Sequence, residues 1–311
     1  MSSTPDAVSQ SSASSGVASP AVLAPTRAFY WSVRRELWEY RSIYWAPLIA
    51  TGVFLFGFLI NLALLPRHMR EMPTLIPTQA RPLQAVLHPY VVLEGLLMVV
   101  GMIVGVVYCL DALNGERRDR SILFWKSLPV SDLTTVSAKA SIPLVVLPAL
   151  VVGLSVVTHF VMLLLSSLVL AGSGLPVAPL WTEVSFVHNS FGLFYHLLTI
   201  HVLWHAPIYC WFLLISAWAR RATFLWAFLP PIALGVLEKM IFNSSHFAIF
   251  LMYRLTGGME AMSTDAAGSA FLGGHLTPLR FLGTPGLWLG LLFAAACLFA
   301  AAQLRRNRGP I

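Results

Sequence analysis

Charged residues are scarce in this sequence, and their scarcity excludes most classes of soluble protein. Only 11% of the 311 residues are Asp, Glu, Lys or Arg, whereas 57% are hydrophobic. A soluble domain has about a quarter of its residues charged, because its surface must be hydrated. The composition therefore predicts an integral membrane protein.

The sequence also lacks the short motifs by which many enzymes bind nucleotides or activate water. It contains no GxxxxGK[ST] phosphate-binding loop, no GxSxG nucleophile turn and no HExxH zinc motif. Its three cysteines, Cys109, Cys210 and Cys297, lie in apolar runs without CxxC spacing. This pattern favours buried thiols over a disulfide framework or a zinc site. We expect no cofactor in this chain, and any energy source for its activity should lie in another protein.

The positive net charge does not indicate binding of nucleic acid. Although the chain carries a net charge of +7, its Lys and Arg residues occur in short clusters between long apolar runs. Such clusters are typical of loops that flank membrane spans. A span needs about 20 predominantly apolar residues. The segments that meet this requirement predict an all-α, polytopic integral membrane protein with six transmembrane helices, at residues 46–65, 90–112, 137–171, 191–217, 222–242 and 286–303.

The distribution of basic residues predicts the orientation of these spans. If the N-terminus is cytosolic, 14 of the 20 Lys and Arg residues lie on the cytosolic side and 6 on the outer side. An excess of basic residues in the cytosolic loops is the usual arrangement in membrane proteins. We therefore expect cytosolic termini and a transmembrane domain over residues 46–311. Its outer loops should be a proline-rich irregular cap at 66–89 and a long loop at about 243–285.

The N-terminal region divides into a tail and a helix. Residues 1–25 are rich in Ser, Ala and Pro and lack the basic and apolar regions of a signal peptide, so we expect a disordered cytosolic tail. Residues 26–45 place aromatic residues and arginines at helical spacing, which predicts a helix in the headgroup plane, separated from the first span by a bend at Pro47. The alternative is an N-terminal extension of that span. The charged residues of this helix that we single out are Arg34, Arg35, Glu36 and Arg41.

Ionisable residues inside the predicted spans are candidates for function. A metal or haem could be bound by the histidines of the third and fourth spans, which are His159, His196, His201 and His205. Because no carboxylate in the fourth span completes a ligand set, hydrogen bonds to neighbouring helices are the alternative. Glu94 lies one turn into the second span, as either a transport-path carboxylate or a side chain that reaches water. The pairs Gly101–Gly105 and Gly286–Gly290 allow close helix packing, within one bundle or between subunits.

A charged segment interrupts the apolar sequence between the second and third spans. Residues 116–132, ERRDRSILFWKSLPVSD, follow Asn114–Gly115, which can end a helix. We expect a short cytosolic helix at about 116–128, with a Glu116–Arg120 ion pair and Trp125 as its apolar anchor. Pro129 should end the helix and Ser131 should cap the third span. The alternative is a plain positively charged loop.

The charged segment and its continuation resemble a known motif. The matching residues are Glu116, Leu128, Pro129, Val130, Ser131 and Lys139. In this pattern a Glu precedes a short amphipathic helix that ends in LPVS, and a Lys follows one or two turns into the next span. The chain resembles the ABC-2-type permeases of ABC transporters. The resemblance extends over residues 26–308, through an N-terminal elbow helix, six spans, cytosolic termini and a long outer segment. ERRDR is more basic than the usual motif.

The resemblance implies a function and partners. The chain would be the permease subunit of an exporter in a bacterial inner membrane, surrounded by lipid and paired with a second copy or a related permease. Two copies of a separate ATPase, with ATP and Mg, would drive it. The segment would act as a coupling helix. Glu116 would brace the segment near the elbow helix, the arginines would meet acidic groups of the ATPase, and Trp125 would anchor the segment. Its residues are Glu116, Arg117, Arg118, Asp119, Arg120, Trp125, Lys126, Pro129 and Ser131.

Two alternatives belong to other functional classes. One is a membrane-embedded enzyme that binds a metal or haem through the histidines of the third and fourth spans. The other is a membrane scaffold that transports nothing.

Overall fold

The computed structural model describes residues 25–67, 81–127, 130–184, 186–255 and 281–309. These residues form helices joined by turns, and no β-strand occurs among them. The all-α class is therefore confirmed. The predicted tail at 1–24 and most of the outer segment at 256–280 lie outside the described residues.

The helices are labelled here in chain order. Within the described ranges they are α1 Pro25–Glu39, α2 Ser42–Leu62, α3 Arg81–Ala112, α4 Asn114–Arg118, α5 Ile122–Lys126, α6 Asp132–Ser141, α7 Leu147–Gly172, α8 Ala178–Val184, α9 Phe186–His196, α10 Ala206–Trp218, α11 Thr223–Phe242, α12 His246–Leu255 and α13 Pro285–Asn307. Two π-helical segments, Ile142–Val146 and Leu197–Trp204, join α6 to α7 and α9 to α10.

Five helical stretches are long and apolar enough to cross a membrane. They are Ser42–Leu62, His88–Arg118, Asp132–Gly172, Thr223–Phe242 and Pro285–Asn307, and they are compatible with a multi-pass membrane protein. The predicted span at 191–217 is instead broken into α9, a π-helical segment and α10, with a bend at His205. Pro207 lies in the first turn of α10, where its missing N–H is tolerated because a new helix begins there. The count of six spans stays a prediction.

The bend predicted at Pro47 is wrong. The helix is interrupted at Tyr40–Arg41, whereas Pro47 lies inside α2 and is buried. The predicted irregular loop at 66–89 is wrong in its last part, because α3 begins at Arg81, although the membrane-length stretch itself begins at His88, close to the predicted residue 90. Proline is tolerated inside membrane helices because neighbouring groups can satisfy the freed backbone.

The core that supports the charged segment lies where α3, α6, α10 and α13 meet. Ile43, Tyr108, Tyr209, Leu213 and Ala301 belong to one buried apolar cluster there. The three cysteines are buried and free, as the sequence predicts. Large apolar side chains such as Phe56, Val107 and Leu289 lie exposed on the outside of the helices. Such a surface suits contact with lipid rather than water.

The glycines of α3 bring two helices close to it. A Cβ atom at Gly101 would lie 3.0 Å from Val151 Cγ2, and one at Gly105 would lie 2.9 Å from Tyr209 Cε1. Gly290 likewise has no room for a Cβ atom, which would collide with the guanidinium of Arg254. Both Gly101–Gly105 and Gly290 therefore serve packing within this chain.

We predict that Gly105→Ala lowers stability, because the added methyl group forces the buried Tyr209 ring to move. Overpacking of this kind costs about 1–3 kcal/mol. The matched control is Gly95→Ala in the same helix, where no atom lies within 4 Å of the new Cβ. The melting temperature of the purified chain in detergent should fall for Gly105→Ala alone. Equal melting temperatures for the two variants would contradict the packing described here.

Candidate functional site: a buried charge cluster and the segment above it

The charged segment forms two short helices rather than one. α4 ends at Arg118, α5 begins at Ile122, and Arg120 between them has a left-handed backbone with a φ of 60°. Asn114 and Gly115 belong to α4 instead of ending the preceding helix. The expected continuous helix over 116–128, with a Glu116–Arg120 ion pair, is therefore wrong. The chain reverses at Arg120, and Glu116 is directed into the protein.

Glu116 forms ion pairs with cations from three different helices. Its Oε1 atom lies 2.9 Å from Arg35 Nη2 of α1 and 3.2 Å from Lys139 Nζ of α6. Its Oε2 atom lies 3.0 Å from Arg305 Nη2 of α13. The Glu116 side chain is only 2% exposed, so these contacts replace its hydration. The contact with the elbow helix that the family resemblance implies is present.

Glu36 of α1 is the second buried acid of this site. It accepts hydrogen bonds from Lys139 Nζ at 2.9 and 3.0 Å and from the Tyr108 hydroxyl at 2.9 Å. Arg35, its neighbour, also pairs with it. Lys139 therefore lies between Glu36 and Glu116, and both its side chain and that of Glu36 are 1% exposed.

Arg305 extends the site to the start of the third span. Its Nη1 atom donates to Asp132 Oδ1 at 2.6 Å, while its Nη2 atom donates to Glu116. Three cations thus face three carboxylates whose formal charges cancel theirs, and the half-exposed Glu39 lies at the edge of the set, 3.8 Å from Arg35 Nε. We call this set the charge cluster: Arg35, Glu36, Glu116, Asp132, Lys139 and Arg305.

The cluster is held together because each buried charge needs its partners. Burying an ion costs several kcal/mol after relaxation, and only opposite charges and hydrogen bonds offset this cost. Burial alone would lower the pKa of Arg35, but the carboxylates of Glu36 and Glu116 outweigh it and raise that pKa. Arg35 therefore stays charged. The cluster joins α1, α4, α6 and α13. A shift of one of these helices relative to the others therefore breaks ion pairs of the cluster.

Arg117 has a structural position that the sequence did not indicate. It is buried, and its Nη1 atom donates to the carbonyl groups of Ala217 at 2.8 Å and Ala219 at 3.2 Å. These carbonyls lie at the end of α10, where no further turn of helix satisfies them. Asn114 Nδ2 also donates to the carbonyl of Ala219, at 2.8 Å. The expectation that Arg117 meets acidic groups on a partner is wrong, because this residue faces inward.

The other residues of the charged segment lie around the cluster. Arg35 stacks over the Trp125 ring, with 3.9 Å from its Cζ atom to the ring centroid, so Trp125 anchors α5 to α1. Lys126 donates to the carbonyls of Arg306 and Arg308 at 3.2 and 3.1 Å. Ser131 caps α6 by accepting from Thr134 N at 3.0 Å, as predicted. Pro129 lies outside the described residues.

The outward side of the charged segment is exposed. Arg118, Asp119 and Arg120 are solvent-accessible, and Arg118 makes only exposed pairs with Asp111 and Asp119. Leu123 and Phe124 follow with 59% and 61% of their surfaces exposed. We call these five residues the exposed face. The charge cluster holds in place the backbone that carries these basic and apolar side chains.

The elbow helix has two distinct sides. Glu36 and Arg35 face the charge cluster, whereas Arg34 lies over the exposed rings of Trp31 and Trp38 at 5.1 and 4.6 Å. Arg41 is exposed at the turn before α2. Exposed tryptophans stacked with an arginine are typical of a helix at a membrane interface.

Two of the intramembrane histidines have described side chains, and they form separate contacts. His159 Nε2 lies 3.2 Å from the carbonyl oxygen of Tyr90, and its Nδ1 atom lies 3.7 Å from Glu94 Oε1. His205 Nε2 lies 3.2 Å from the carbonyl oxygen of Leu255. The side chains of His196 and His201 lie outside the description. No group of three His, Cys, Asp or Glu residues suited to a metal occurs in the described part of the chain.

Glu94 is deeper than the sequence predicts. It is 0% exposed, so of the two alternatives for this residue the one in which its side chain reaches water is wrong. Its helix begins at Arg81, 13 residues before it (94 − 81), rather than one turn before it.

Sequence reasoning missed three contributors to the charge cluster. They are Arg305, Asp132 and Tyr108, none of which the sequence analysis singles out. Arg305 and Glu116 are separated by 189 positions, so no local spacing relates them.

We predict that Lys139→Met strongly destabilises the chain, because it leaves Glu36 and Glu116 short of positive charge. Removing one partner of a buried ion pair costs about 3–5 kcal/mol. The double variant Glu36→Gln, Lys139→Met restores charge balance and should lose less than the two single variants together. Thermal melting of the purified chain measures these effects.

The control for this prediction is Arg118→Met, which removes an exposed cation from the same segment. Exposed ion pairs contribute little, so its melting temperature should match that of the unmodified chain. A Lys139→Met variant as stable as this control would show that the cluster does not support the fold.

No protein-family model, curated protein or solved structure matches this chain. Its function is therefore inferred from its residues, their geometry and the resemblance of the charged segment.

Proposed function

We propose that this chain is the membrane-spanning permease subunit of an ABC transporter of the ABC-2 type. In this proposal it is an exporter with six spans and cytosolic termini in a bacterial inner membrane. ATP hydrolysis takes place on a separate ATPase. The observation that carries the proposal is the pairing of an exposed basic and apolar face with a buried charge cluster directly behind it.

A docking segment for a motor protein must be accessible on one side and firmly held on the other. The exposed face supplies the first property through Arg118, Arg120, Leu123 and Phe124. The charge cluster supplies the second, because Glu116 at the start of the segment is paired with three cations. A push on the segment is then passed to α1, α6 and α13 rather than absorbed by a loose loop.

The ends of the helices joined by the cluster support the same proposal. Lys139 lies in the last turn of α6, and Arg305 lies in the last turn of α13. Both stretches continue into helices long enough to cross a membrane. Displacement of the charged segment therefore tilts spans directly, which is the movement that opens a path through a paired permease. Two ATPase copies would act on this chain and on its partner permease.

The basic character of the exposed face predicts the chemistry of the ATPase cleft. Arg118 and Arg120 favour a cleft lined with carboxylates, while Leu123 and Phe124 favour an apolar patch at its centre. Arg117 takes no part in this contact, because it holds the end of α10.

We predict that the tagged full-length chain co-purifies from its own cells with an ATPase that has a GxxxxGK[ST] loop. The double variant Arg118→Glu, Arg120→Glu should lose the ATPase, and Phe124→Ala should weaken its binding about tenfold, as expected for a central aromatic contact. ATP hydrolysis by the purified complex and the amount of bound ATPase are the measurements.

Arg221→Glu is the matched control, since it reverses an exposed arginine outside the charged segment, in the turn before α11. It should leave ATPase binding unchanged. A chain that purifies alone, or with a bound metal or haem absorbance, would contradict the permease and support the enzyme alternative. Binding of the ATPase that is equally strong in the double variant would remove the exposed face as the docking surface.

A further inference from the structure

A second polar site lies between α3 and α7, separate from the charge cluster. Glu94 of α3 and Ser155 of α7 are both 0% exposed, and His159 of α7 is 5% exposed. Their surroundings are apolar, with Leu93, Leu97, Val152 and Met162 in the same buried cluster. Neither carboxylate oxygen of Glu94 has a hydrogen-bond partner within the described residues.

The tautomer of His159 follows from its contact with the backbone. Its Nε2 atom lies 3.2 Å from the carbonyl oxygen of Tyr90, and a carbonyl can only accept. Nε2 therefore carries a hydrogen, and in the neutral ring Nδ1 presents a lone pair. Nδ1 lies 3.7 Å from Glu94 Oε1. A carboxylate facing that lone pair would be repelled, whereas a carboxylic acid can donate its hydrogen to it.

The cost of burying a charge also favours a protonated Glu94. An ionised carboxylate in apolar surroundings costs many kcal/mol unless a cation or several donors face it, so such a group takes up a proton instead. The charge cluster meets this requirement with three cations. Glu94 has only His159 at ion-pair distance among the described residues, and that ring can become a cation only by taking the same proton.

We propose that Glu94 and His159 form an intramembrane proton-binding site. The site holds one exchangeable proton on Glu94 Oε1, which lies 3.7 Å from the lone pair of His159 Nδ1. In this state the site is neutral. When the proton moves to water, Glu94 becomes negatively charged. His159 stays neutral, and its Nε2–H group still donates to the carbonyl oxygen of Tyr90. The ligand of the site is thus a proton.

The packing near the pair is interrupted by a small cavity. The cavity lies on the same contact between α3 and α7, and its lining includes Met98, one turn from Glu94, and Val151, one turn from Ser155. Leu147 and Pro148 line it as well, directly after the π-helical segment Ile142–Val146. π-Helical turns often occur at functional sites. The cavity is thus a small void one helical turn from Glu94.

The helices that pack around this site carry other polar and ionisable groups. The Tyr90 ring lies 5.5 Å from the His159 ring, between centroids, and its hydroxyl interacts with Ser166, while Thr158 donates to the carbonyl of Leu154. α2, which packs on both helices, contains no charged residue or histidine. The segments that pack on α7 from α8 to the second π-helical segment contain Glu183, His188, His196 and His201. These four residues stay unchanged in the test.

The test is infrared difference spectroscopy of the full-length chain in detergent, compared between neutral and alkaline pH. A protonated carboxyl group has a C=O stretching band that a carboxylate lacks. We expect this band at neutral pH, its loss at alkaline pH, and its absence from Glu94→Gln. The control Glu238→Gln should keep the band, because the Glu238 carboxylate is already bonded to Ser244 and the N-terminus of α12.

A second variant tests the role of the imidazole. His159→Phe removes the acceptor, so the band should move to higher wavenumber. An unshifted band would overturn the part of His159 in the site, and a neutral-pH spectrum of the unmodified chain without any protonated carboxyl band would overturn the proposal outright. This proposal is independent of ATPase binding, since none of its measurements needs a partner.

Discussion

The contact of Lys139 with Glu36 and Glu116 is the one on which the charged end of this structure depends. A lysine that is 1% exposed is stable there only because two carboxylates face its ammonium group. Those carboxylates in turn need Arg35 and Arg305, and Arg305 needs Asp132. The requirement for charge balance therefore fixes the relative positions of α1, α4, α6 and α13. Their apolar packing alone would allow the helices to slide.

The chain solves the same physical problem in two different ways. At the charge cluster, six formal charges cancel within one network of side chains. At Glu94, a single carboxyl group has an imidazole beside it and apolar side chains around it, and neutrality is reached by holding a proton. The first arrangement is neutral through opposite charges, whereas the second is neutral through a proton. The two buried polar sites of the chain thus have distinct chemical origins.

The helical class, the elbow helix and the position of the charged segment could be predicted from sequence, because each depends on local composition or spacing. The convergence of Arg305 and Glu116 could not, since 189 positions separate them. Arg117 and Arg118 show a finer limit. They are adjacent in a five-residue helix, which has too few turns to establish a periodic face, and only the position of α10 decides that the first is buried. The depth of Glu94 could not be predicted, because the prolines before residue 90 argue against a helix at 81–89, where the structure has one.

Several contacts that hold the charged segment use main-chain carbonyls near the C-terminus. Lys126 binds the carbonyls of Arg306 and Arg308, and Arg117 Nε lies 3.5 Å from that of Gly309. Every amino acid has such a carbonyl, so the identity of these tail residues matters less than the presence of the peptide units themselves. Affinity tags and fusion partners therefore belong at the other terminus, because a bulky domain joined directly after this tail would compete for the space that the segment occupies.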